Sequence, residues 1–536
     1  MRGRTRRMAS SAVEAAPTNI YLGPEPIERR RGMLRYACGV IRRTNADLIV
    51  QALRGAGVER LFGMPGGGSN ADLIEAARRA GLPFTLAHTE AASAFMAAAQ
   101  AEITGKPGAC IATLGPGAAS LMNGLAHAFL DRVPLIAITD CHGDPAAAGV
   151  GHQALAQSAM FRPVVKFTAR LERGSLAGLM AQALASAVDG PVHLDVSAEV
   201  TAADAEGEFE PICAAQRIEP LVKIDARRPV LLIGLRARTG GIAEDCERFR
   251  IPALVTYKAK GVVPDRHPWF GGVLTNGALE REILERGDVF IAVGLDEVEL
   301  LPRPWVYRQP MIHVAAAGLH GALTLSDWDE GGVRCMAERQ RQRMRVNCAG
   351  EGMPPHRVVE QVAEVYAGAR VTVDAGAHMF PVMSLWPAAE PCGLLISNGL
   401  STMGFALPAA IGAALLDRPR PVVAFTGDGG LLMCTGELRT AAREALPLRI
   451  IVFEDGELSL IKVKQVARGY STDGLGIGGV DWPALAEAFG VTGRRASDER
   501  ELRTCLCETA KITGPVLIAA RVNARAYEET IRVLRG

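Results

Sequence analysis

Val422-Val423-Ala424-Phe425-Thr426-Gly427-Asp428-Gly429-Gly430 is the stretch on which the reading of this chain turns. Its first five residues form a short apolar run of the kind that makes a fully buried strand. The glycines after it let a backbone approach an anion closely, and the N–H groups of a following helix start can bind phosphate. Asp428 cannot itself bind a phosphate, because both are negative. A divalent cation between them resolves the conflict, and carboxylate plus phosphate oxygens are what magnesium prefers. Taken alone, Gly-Asp-Gly is equally compatible with an ordinary turn. A second apolar run, Arg449 to Phe453, ends in Glu454-Asp455-Gly456-Glu457, 27 residues after Asp428. Two acidic strand ends at one sheet edge repel unless a cation joins them; a solvated acidic turn is the alternative that Asp-Gly permits.

Outward from these loops, the same alternation of short apolar runs and helical periodicity recurs. Further strands are expected in this third unit at Val371–Asp374 and Leu394–Ser397. A second unit is expected to hold strands at Pro229–Gly234, Ala253–Tyr257, Val289–Gly294 and Met311–Ala315, ending at the charged stretch Glu338 to Arg345 and a Gly/Pro-rich join at Gly350–Pro355. The first unit reads as a helix over Asn45–Gly55, a strand over Arg60–Met64 and the turn Pro65-Gly66-Gly67-Gly68. Helix follows over Asp72–Ala80, strand over Phe84–Ala87 and an alanine-rich helix over Glu90–Thr104. Strands at Ala109–Thr113, Pro134–Thr139 and around Val192 complete it. This pattern predicts an α/β protein of three doubly wound parallel sheets, covered on both faces. In such sheets ligands sit at the carboxyl ends of strands. The expected domains are residues 44–205, 222–345 and 356–536, with a polar linker between Thr201 and Ala226.

A length of 536 residues fits two to four domains, and 49% hydrophobic with 22% charged residues is ordinary for a soluble protein. A formal charge of +1 offers no electrostatic case for nucleic acid. The chain has no apolar run long enough to span a bilayer. Its 11 cysteines include no C-x-x-C pair, and the spacing of Cys505 and Cys507 matches no common zinc site, so reduced thiols in a cytoplasmic protein are expected. Residues 1–43 stand apart, with 10 Arg against 3 Glu and no sustained periodicity. An Arg-rich leader reads as a transit peptide, a disordered tail, or a start placed too early with Met8 or Met33 as the true one; the last two are preferred.

The motifs also carry a resemblance. Gly427-Asp428-Gly429 followed by Phe453-Glu454-Asp455-Gly456-Glu457-Leu458-Ser459-Leu460-Ile461 resembles the signature of the acetolactate synthase-like superfamily of thiamine-diphosphate enzymes, which also includes benzaldehyde lyase and 2-oxo acid decarboxylases. The resemblance implies that Asp428, Asp455 and the main-chain carbonyl of Glu457 hold Mg2+ against the cofactor's diphosphate. Gly427, Gly429, Gly430, Ser459, Leu460 and Ile461 would line the same site. Glu454 departs from the family, which usually has Asn there. Asn398-Gly399-Leu400-Ser401-Thr402-Met403-Gly404-Phe405-Ala406-Leu407-Pro408 resembles the cofactor loop. Its Met403 would wedge between the cofactor's two rings, a task for a bulky and adaptable apolar side chain, although position alone would make it core packing. Ser401 stands where Gly is common and would act through its carbonyl. Asp374-Ala375-Gly376-Ala377-His378 resembles the other phosphate-side loop, which puts Gly376 and His378 near the cofactor.

Thiamine chemistry needs a carboxylate that hydrogen-bonds N1′ of the aminopyrimidine in a dry pocket. Glu90 opens a helix, where an acid also suits the helix dipole. The segments Phe62 to Gly66, Glu90 to Ala97 and Ala112 to Ala118 resemble the family's pyrimidine-binding domain in order and spacing. Glu90 falls on the activating glutamate, and Pro65, Gly66 and Thr113 on cofactor contacts. The resemblance runs from about Thr44 to Val522. Gly151-His152-Gln153-Ala154-Leu155-Ala156-Gln157 resembles the segment with a pocket glutamine and an adjacent bulky residue, so Gln153 is the expected substrate-proximal residue, with a loop amide bonding backbone as the plain reading. His152 could act as acid/base or fill space; His142 and His127 are weaker candidates, and Ser120 replaces an Asn often found near the cofactor. The paired histidines of pyruvate decarboxylase-type enzymes are not evident. Gly294-Leu295-Asp296-Glu297-Val298-Glu299-Leu300 lacks the Arg- and Asp-rich flavin-binding pattern, so FAD is not expected.

The implied protein is a lyase or carboligase that acts on 2-oxo acids or 2-hydroxy ketones through an ylide and an enamine. The alternatives are a simple 2-oxo acid decarboxylase, an FAD-containing acetolactate synthase, or a cofactor-binding regulatory subunit without turnover. The resemblance further implies a site shared between subunits, hence a homodimer at least and a homotetramer by extension, with no nucleic-acid or membrane partner.

Overall fold

Parallel strands buried on both faces need near-continuous apolar runs, and the chain supplies them. Gly108–Ala112, Leu135–Asp140 and Pro229–Ile233 are buried at every position. The computed structural model describes residues 43–143, 151–205, 207, 223–237 and 241–536. The leader and much of the linker between Thr201 and Ala226 lie outside the described residues.

Three wholly parallel sheets follow one another along the chain. The first contains β1 (Leu61–Met64), β2 (Phe84–Leu86), β3 (Gly108–Ala112), β4 (Leu135–Asp140), β5 (Phe167–Arg170) and β6 (Pro191–Val196), in the order β2-β1-β3-β4-β6-β5. The second contains β7 (Pro229–Ile233), β8 (Ala253–Val255), β9 (Phe270–Val273), β10 (Val289–Val293) and β11 (Met311–Val314), in the order β11-β10-β7-β8-β9. The third contains β12 (Arg370–Val373), β13 (Leu394–Ile396), β14 (Val422–Gly427), β15 (Leu448–Glu454), β16 (Thr492–Ala496) and β17 (Val516–Arg521), in the order β13-β12-β14-β15-β17-β16.

Each order reverses between β1 and β3, between β7 and β10, and between β12 and β14, and the first and third sheets turn back again at their β6-β5 and β17-β16 edges. Connections leave these neighbours on opposite faces, which opens a crevice outside their carboxyl ends. The three crevices are therefore set by topology before any side chain is considered.

The expected strands are all present, shifted by a residue or two at their ends. Four more were not anticipated. β5, β9 and β16 are short edge strands, and β16 reads Thr-Gly-Arg-Arg-Ala, with too little apolar character to signal a strand. β17 is an interior strand, buried apart from its last residue. The charged stretch from Glu338 forms the end of a helix, Glu330–Met344. Its Gln340 accepts the Val273 N–H at 3.2 Å and donates to Gly271 at 3.3 Å, which ties that helix to β9.

The first and third sheets share a core through two helices, Glu90–Thr104 and Ala406–Leu416. The second of these is apolar all round, and so it is buried on all sides. Gly412 makes the close approach possible, because a Cβ there would lie 2.3 Å from the Met96 carbonyl oxygen. Gln100 donates to the Gly412 carbonyl at 3.0 Å and satisfies it within the contact.

Candidate active site

β14 and β15 are neighbours with Gly427 opposite Phe453, so Asp428 and the loop after Glu454 emerge side by side. Asp428 begins a helical turn, and its Oδ1 accepts the Gly429 N–H at 2.8 Å. Its Oδ2 accepts the Gly456 N–H at 2.6 Å and the Asp455 N–H at 3.2 Å. Asp455 in turn accepts from the Glu457 N–H at 3.2 Å and from the Ser459 hydroxyl at 2.7 Å. Burial, with the nearby Asp428 charge, pushes the Asp455 carboxyl up to about 7. Burial also raises Asp428, against the pull of its backbone donors. Two desolvated acids on adjoining strand ends are the arrangement a divalent cation relieves.

The departure at Glu454 has a local explanation. Its carboxylate pairs with Arg495 from β16, in a bidentate contact that includes a 3.0 Å bond from the Arg495 Nε, and Arg495 also donates to the Val480 carbonyl at 2.7 Å. The extra charge thus has its own counter-ion. The Glu457 side chain is held by Lys462 at 2.7 and 2.8 Å, while its carbonyl accepts the Ser459 N–H at 3.0 Å and keeps a second lone pair. Leu460 packs inward, whereas Ile461 is exposed.

Across the β12/β14 crevice, His378 is buried and stacks on Phe453 with ring centroids 5.3 Å apart. Its Nε2 has no hydrogen-bond partner, and burial lowers its basicity to about 3, so it is a neutral imidazole. Gly376 has φ +156°, and a Cβ there would meet the His378 ring at 2.7 Å. An orphaned buried nitrogen, a glycine cradle and a buried acid pair together suit a cation with its phosphate.

The loop from Asn398 to Gly404 closes the crevice. Ser401 adopts φ 54° and its N–H donates to the Ser397 carbonyl at 3.1 Å, a left-handed turn that explains why glycine is common at this place. Met403 reaches over Gly429, where an added Cβ would meet the Met403 methyl at 3.4 Å and Leu458 and Ile477 at 3.0 Å. Leu458 stands in the signature without a role of its own, and Ile477 outside it; only the folded chain brings both over Gly429. Asp374 was also unassigned; it accepts the Phe405 and Ala406 N–H groups at 2.7 Å each and the Thr426 hydroxyl at 2.7 Å. A buried acid ending an apolar strand was the signal available for it.

At the β1/β3 crevice, Glu90 lies in the first turn of its helix behind the N-cap Thr89, whose hydroxyl accepts the Ala92 N–H at 3.1 Å. The Glu90 carboxylate comes within 3.1 Å of where a Gly117 Cβ would be. A Cβ on Gly66 would collide with the Thr113 hydroxyl at 2.3 Å, so Pro65-Gly66, Thr113, Gly117 and Glu90 adjoin. Gln153 is exposed with φ 57° and packs against Gly115. His152 is exposed and its carbonyl lies 2.9 Å from the His142 Nε2. Ser120 is exposed, while His127 is buried far along the chain's interior contacts, beside Ser397 at 3.0 Å. The residue that fixes this loop is Gln157, the second glutamine of the same segment, and not the expected Gln153. Its Oε1 accepts the Gly115 N–H at 2.9 Å, and its Nε2 donates to Asp195 at 2.6 Å and Asp140 at 3.0 Å. Among the described residues, the Glu90 and Asp428 clusters of one chain share no hydrogen bond.

The β7/β10 crevice differs. Glu299 fills it, accepting the Leu235 N–H at 2.9 Å, the Asp296 N–H at 3.1 Å and the Thr256 hydroxyl. Burial pushes its carboxyl up to about 7. Asp296 completes a capping box and is held by Arg132 at 3.0 Å and Arg236 at 3.2 Å.

Two glycine-lined crevices, one bearing a buried acid pair and the other a lone carboxylate, are the kind of strand-end site in which an α/β enzyme takes a phosphate-bearing cofactor. Comparison with known proteins gives the family. Residues 43–160, 222–319 and 374–520 match, in order, the N-terminal TPP binding domain, the central domain and the C-terminal TPP binding domain of thiamine pyrophosphate enzymes. The chain is 28% identical to the acetolactate synthase of Bacillus subtilis (strain 168), covering 92% of this chain and 95% of that protein. It is 28% identical to the acetolactate synthase isozyme 1 large subunit of Escherichia coli (strain K12), over 90% and 94% of the two chains. To the catabolic acetolactate synthase of Raoultella terrigena it is 27% identical, over 90% and 95%. The chain belongs to the acetolactate synthase-like thiamine pyrophosphate enzymes, and thiamine diphosphate is its cofactor.

Proposed function

We propose that the protein is a magnesium-dependent carboligase or lyase that acts on 2-oxo acids or 2-hydroxy ketones, in the manner of an acetolactate synthase. The observation that carries this reading is the buried Asp428–Asp455 pair at adjoining strand ends, beside the unpartnered His378 nitrogen. Asp428, Asp455 and the Glu457 carbonyl would hold Mg2+, with Gly376, Gly427, Gly429 and Gly430 leaving room for the diphosphate. Bound thiamine diphosphate supplies a carbon nucleophile and an electron sink. Glu90 would hold a proton at N1′ of the pyrimidine. Met403, supported by Leu458 and Ile477, would wedge the cofactor's rings and exclude water, while the Ser401 carbonyl would accept from the 4′-amino group. Gln153, at the exposed mouth beside Gly115, would contact the substrate.

The active unit in this reading is a homodimer, with Glu90 of one chain facing Asp428 of the other. Met64, Leu86, Leu432, Met433 and Ile461 support it, since these exposed apolar side chains lie within a few residues of the Pro65, Glu90, Asp428 and Asp455 loops. Glu299, a carboxylate where a nucleotide's pyrophosphate would lie, supports a middle domain without FAD. The three sheets support domain bounds of 44–205, 222–345 and 356–536. No helix among the described residues is long and apolar enough to cross a membrane, and cysteines scattered without a C-x-x-C pair support a cytoplasmic protein.

The test is a panel of 2-oxo acids incubated with purified protein, thiamine diphosphate and Mg2+. Acetohydroxy acid or acyloin products are expected; free aldehyde alone would make it a simple decarboxylase. Absence of turnover and of cofactor binding would overturn the reading.

A further inference from the structure

A buried charged cluster lies behind the Asn398–Gly404 loop. Lys258, which follows β8 in the middle sheet, is buried with its ammonium 2.6 Å from Glu102 and 3.1 Å from Asp131, and it also donates to the Ile396 carbonyl at 3.0 Å. Glu102 belongs to the helix Glu90–Thr104, and Asp131 follows the helix Met122–Leu130. One cation from the second unit thus joins two carboxylates from the first and touches the strand end, β13, that leads into the Asn398–Gly404 loop.

Asp131 carries this contact onto the loop itself. Its Oδ2 accepts the Asn398 N–H at 3.0 Å and its Oδ1 the Gly399 N–H at 2.6 Å. Two successive backbone N–H groups form an anion-binding concavity, and here a side chain fills it. The approach is close: a Cβ on Gly399 would lie 2.9 Å from the Asp131 Oδ1, 2.8 Å from Leu130 and 2.7 Å from Val298. Beside it, the His127 Nδ1 lies 3.0 Å from the Ser397 hydroxyl, and the Asn398 side chain donates to the Val298 carbonyl at 3.3 Å. At its far end the same loop is held by Asp374 through the Phe405 and Ala406 N–H groups. Burial alone would raise the Asp131 carboxyl; Lys258, His127 and the Gly399 N–H outweigh it and hold it below its ordinary value.

We propose that Asp131 and Lys258 are positioning residues for the thiamine-diphosphate loop: Asp131 clamps the Asn398–Gly399 turn from the pyrimidine-side unit, and Lys258 is the buried counter-ion that keeps that clamp charged and aimed. The inference rests on the reading of Asn398–Gly404 as the cofactor loop. It gives the middle unit a part in cofactor binding although its own crevice is filled.

The test uses hydrogen exchange by mass spectrometry on the full chain, with and without thiamine diphosphate and Mg2+, together with calorimetric titration of the cofactor. Asp131→Asn keeps the shape but places a donor against a donor. It is expected to speed exchange of the Asn398 and Gly399 amides about tenfold or more and to weaken cofactor binding about 10- to 100-fold. Peptides from β14 should be unchanged, and turnover at saturating cofactor should fall far less than affinity. Glu102→Gln, which leaves the Lys258–Asp131 pair intact, is expected to leave loop exchange as in the parent. The double substitution Lys258→Met with Glu102→Gln strips the counter-ion without leaving two opposed acids, and it should reproduce the Asp131→Asn pattern; it decides the matter alone should Asp131→Asn fail to fold. Unaltered loop exchange in the variants, or equal effects from Glu102→Gln, would overturn the proposal. A parent chain that bound no thiamine diphosphate would overturn the cofactor reading instead, while the exchange comparison on the free chain would still decide the role of Asp131.

Discussion

The β12/β14 and β7/β10 crevices arise from the same topology, yet their mouths differ. At the first, Asp428 and Asp455 stand among glycines with the His378 nitrogen unpartnered. At the second, Glu299 points back into its own strand ends and takes their N–H groups. Both hold buried acids raised above their usual range, but only one leaves room beside them. Doubly wound topology thus creates a place for a ligand, and the loop after the strand decides whether the protein or a cofactor fills it.

Changes that break this contrast should rank by how directly they touch the cofactor. Glu90→Gln is expected to lower turnover by roughly 100- to 10,000-fold with little change in cofactor affinity, measured by steady-state kinetics and titration. Asp428→Asn should weaken magnesium-dependent cofactor binding by about 100-fold or more, since even partners behind a metal ligand are worth about 10- to 100-fold. Calorimetry at fixed Mg2+ would show it.

Glu299 acts on stability instead. Its carboxyl rises from 4.5 to about 7 in the fold, so its stabilising contribution is fully present below 4.5 and is lost as pH climbs through about 7. The loss is on the order of 3 kcal/mol. Glu299→Gln should flatten that component of the stability difference between pH 5 and pH 8, read from urea midpoints, and leave cofactor affinity unaltered. The smallest effect belongs to Glu454→Gln, which frees Arg495 at a partly exposed pair and should cost about 1 kcal/mol or less. A large loss of Mg2+ affinity there would instead show that Glu454 takes part in the metal site.

What local chemistry encodes is legible in the sequence. Asp428, Asp455 and Glu90 sit at strand or helix ends where an acid beside glycines or a helix start is visible in the string. Residues that act through partners far along the chain were hidden. Gln157 gains meaning only with Asp195, and Ile477 only once Gly429 and Met403 lie beneath it. β16 is illegible because its adjacent Arg494 and Arg495 point to opposite faces of the strand, the first half-buried and the second exposed, which breaks any apolar alternation. The stretch Gly294 to Leu300 was seen to lack a flavin pattern, but no spacing rule shows a glutamate turning back to plug a crevice.

That plug can be regarded as a ligand on the shortest of tethers. A free nucleotide competes at whatever concentration its surroundings hold, whereas the Glu299 carboxylate arrives at the effective concentration of a four-residue capping box. An added nucleotide should therefore leave thermal unfolding of the middle unit unmoved, while thiamine diphosphate with Mg2+ raises that of the units on either side. The occupancy of one crevice is thus inherited with the chain, and that of the others varies with supply.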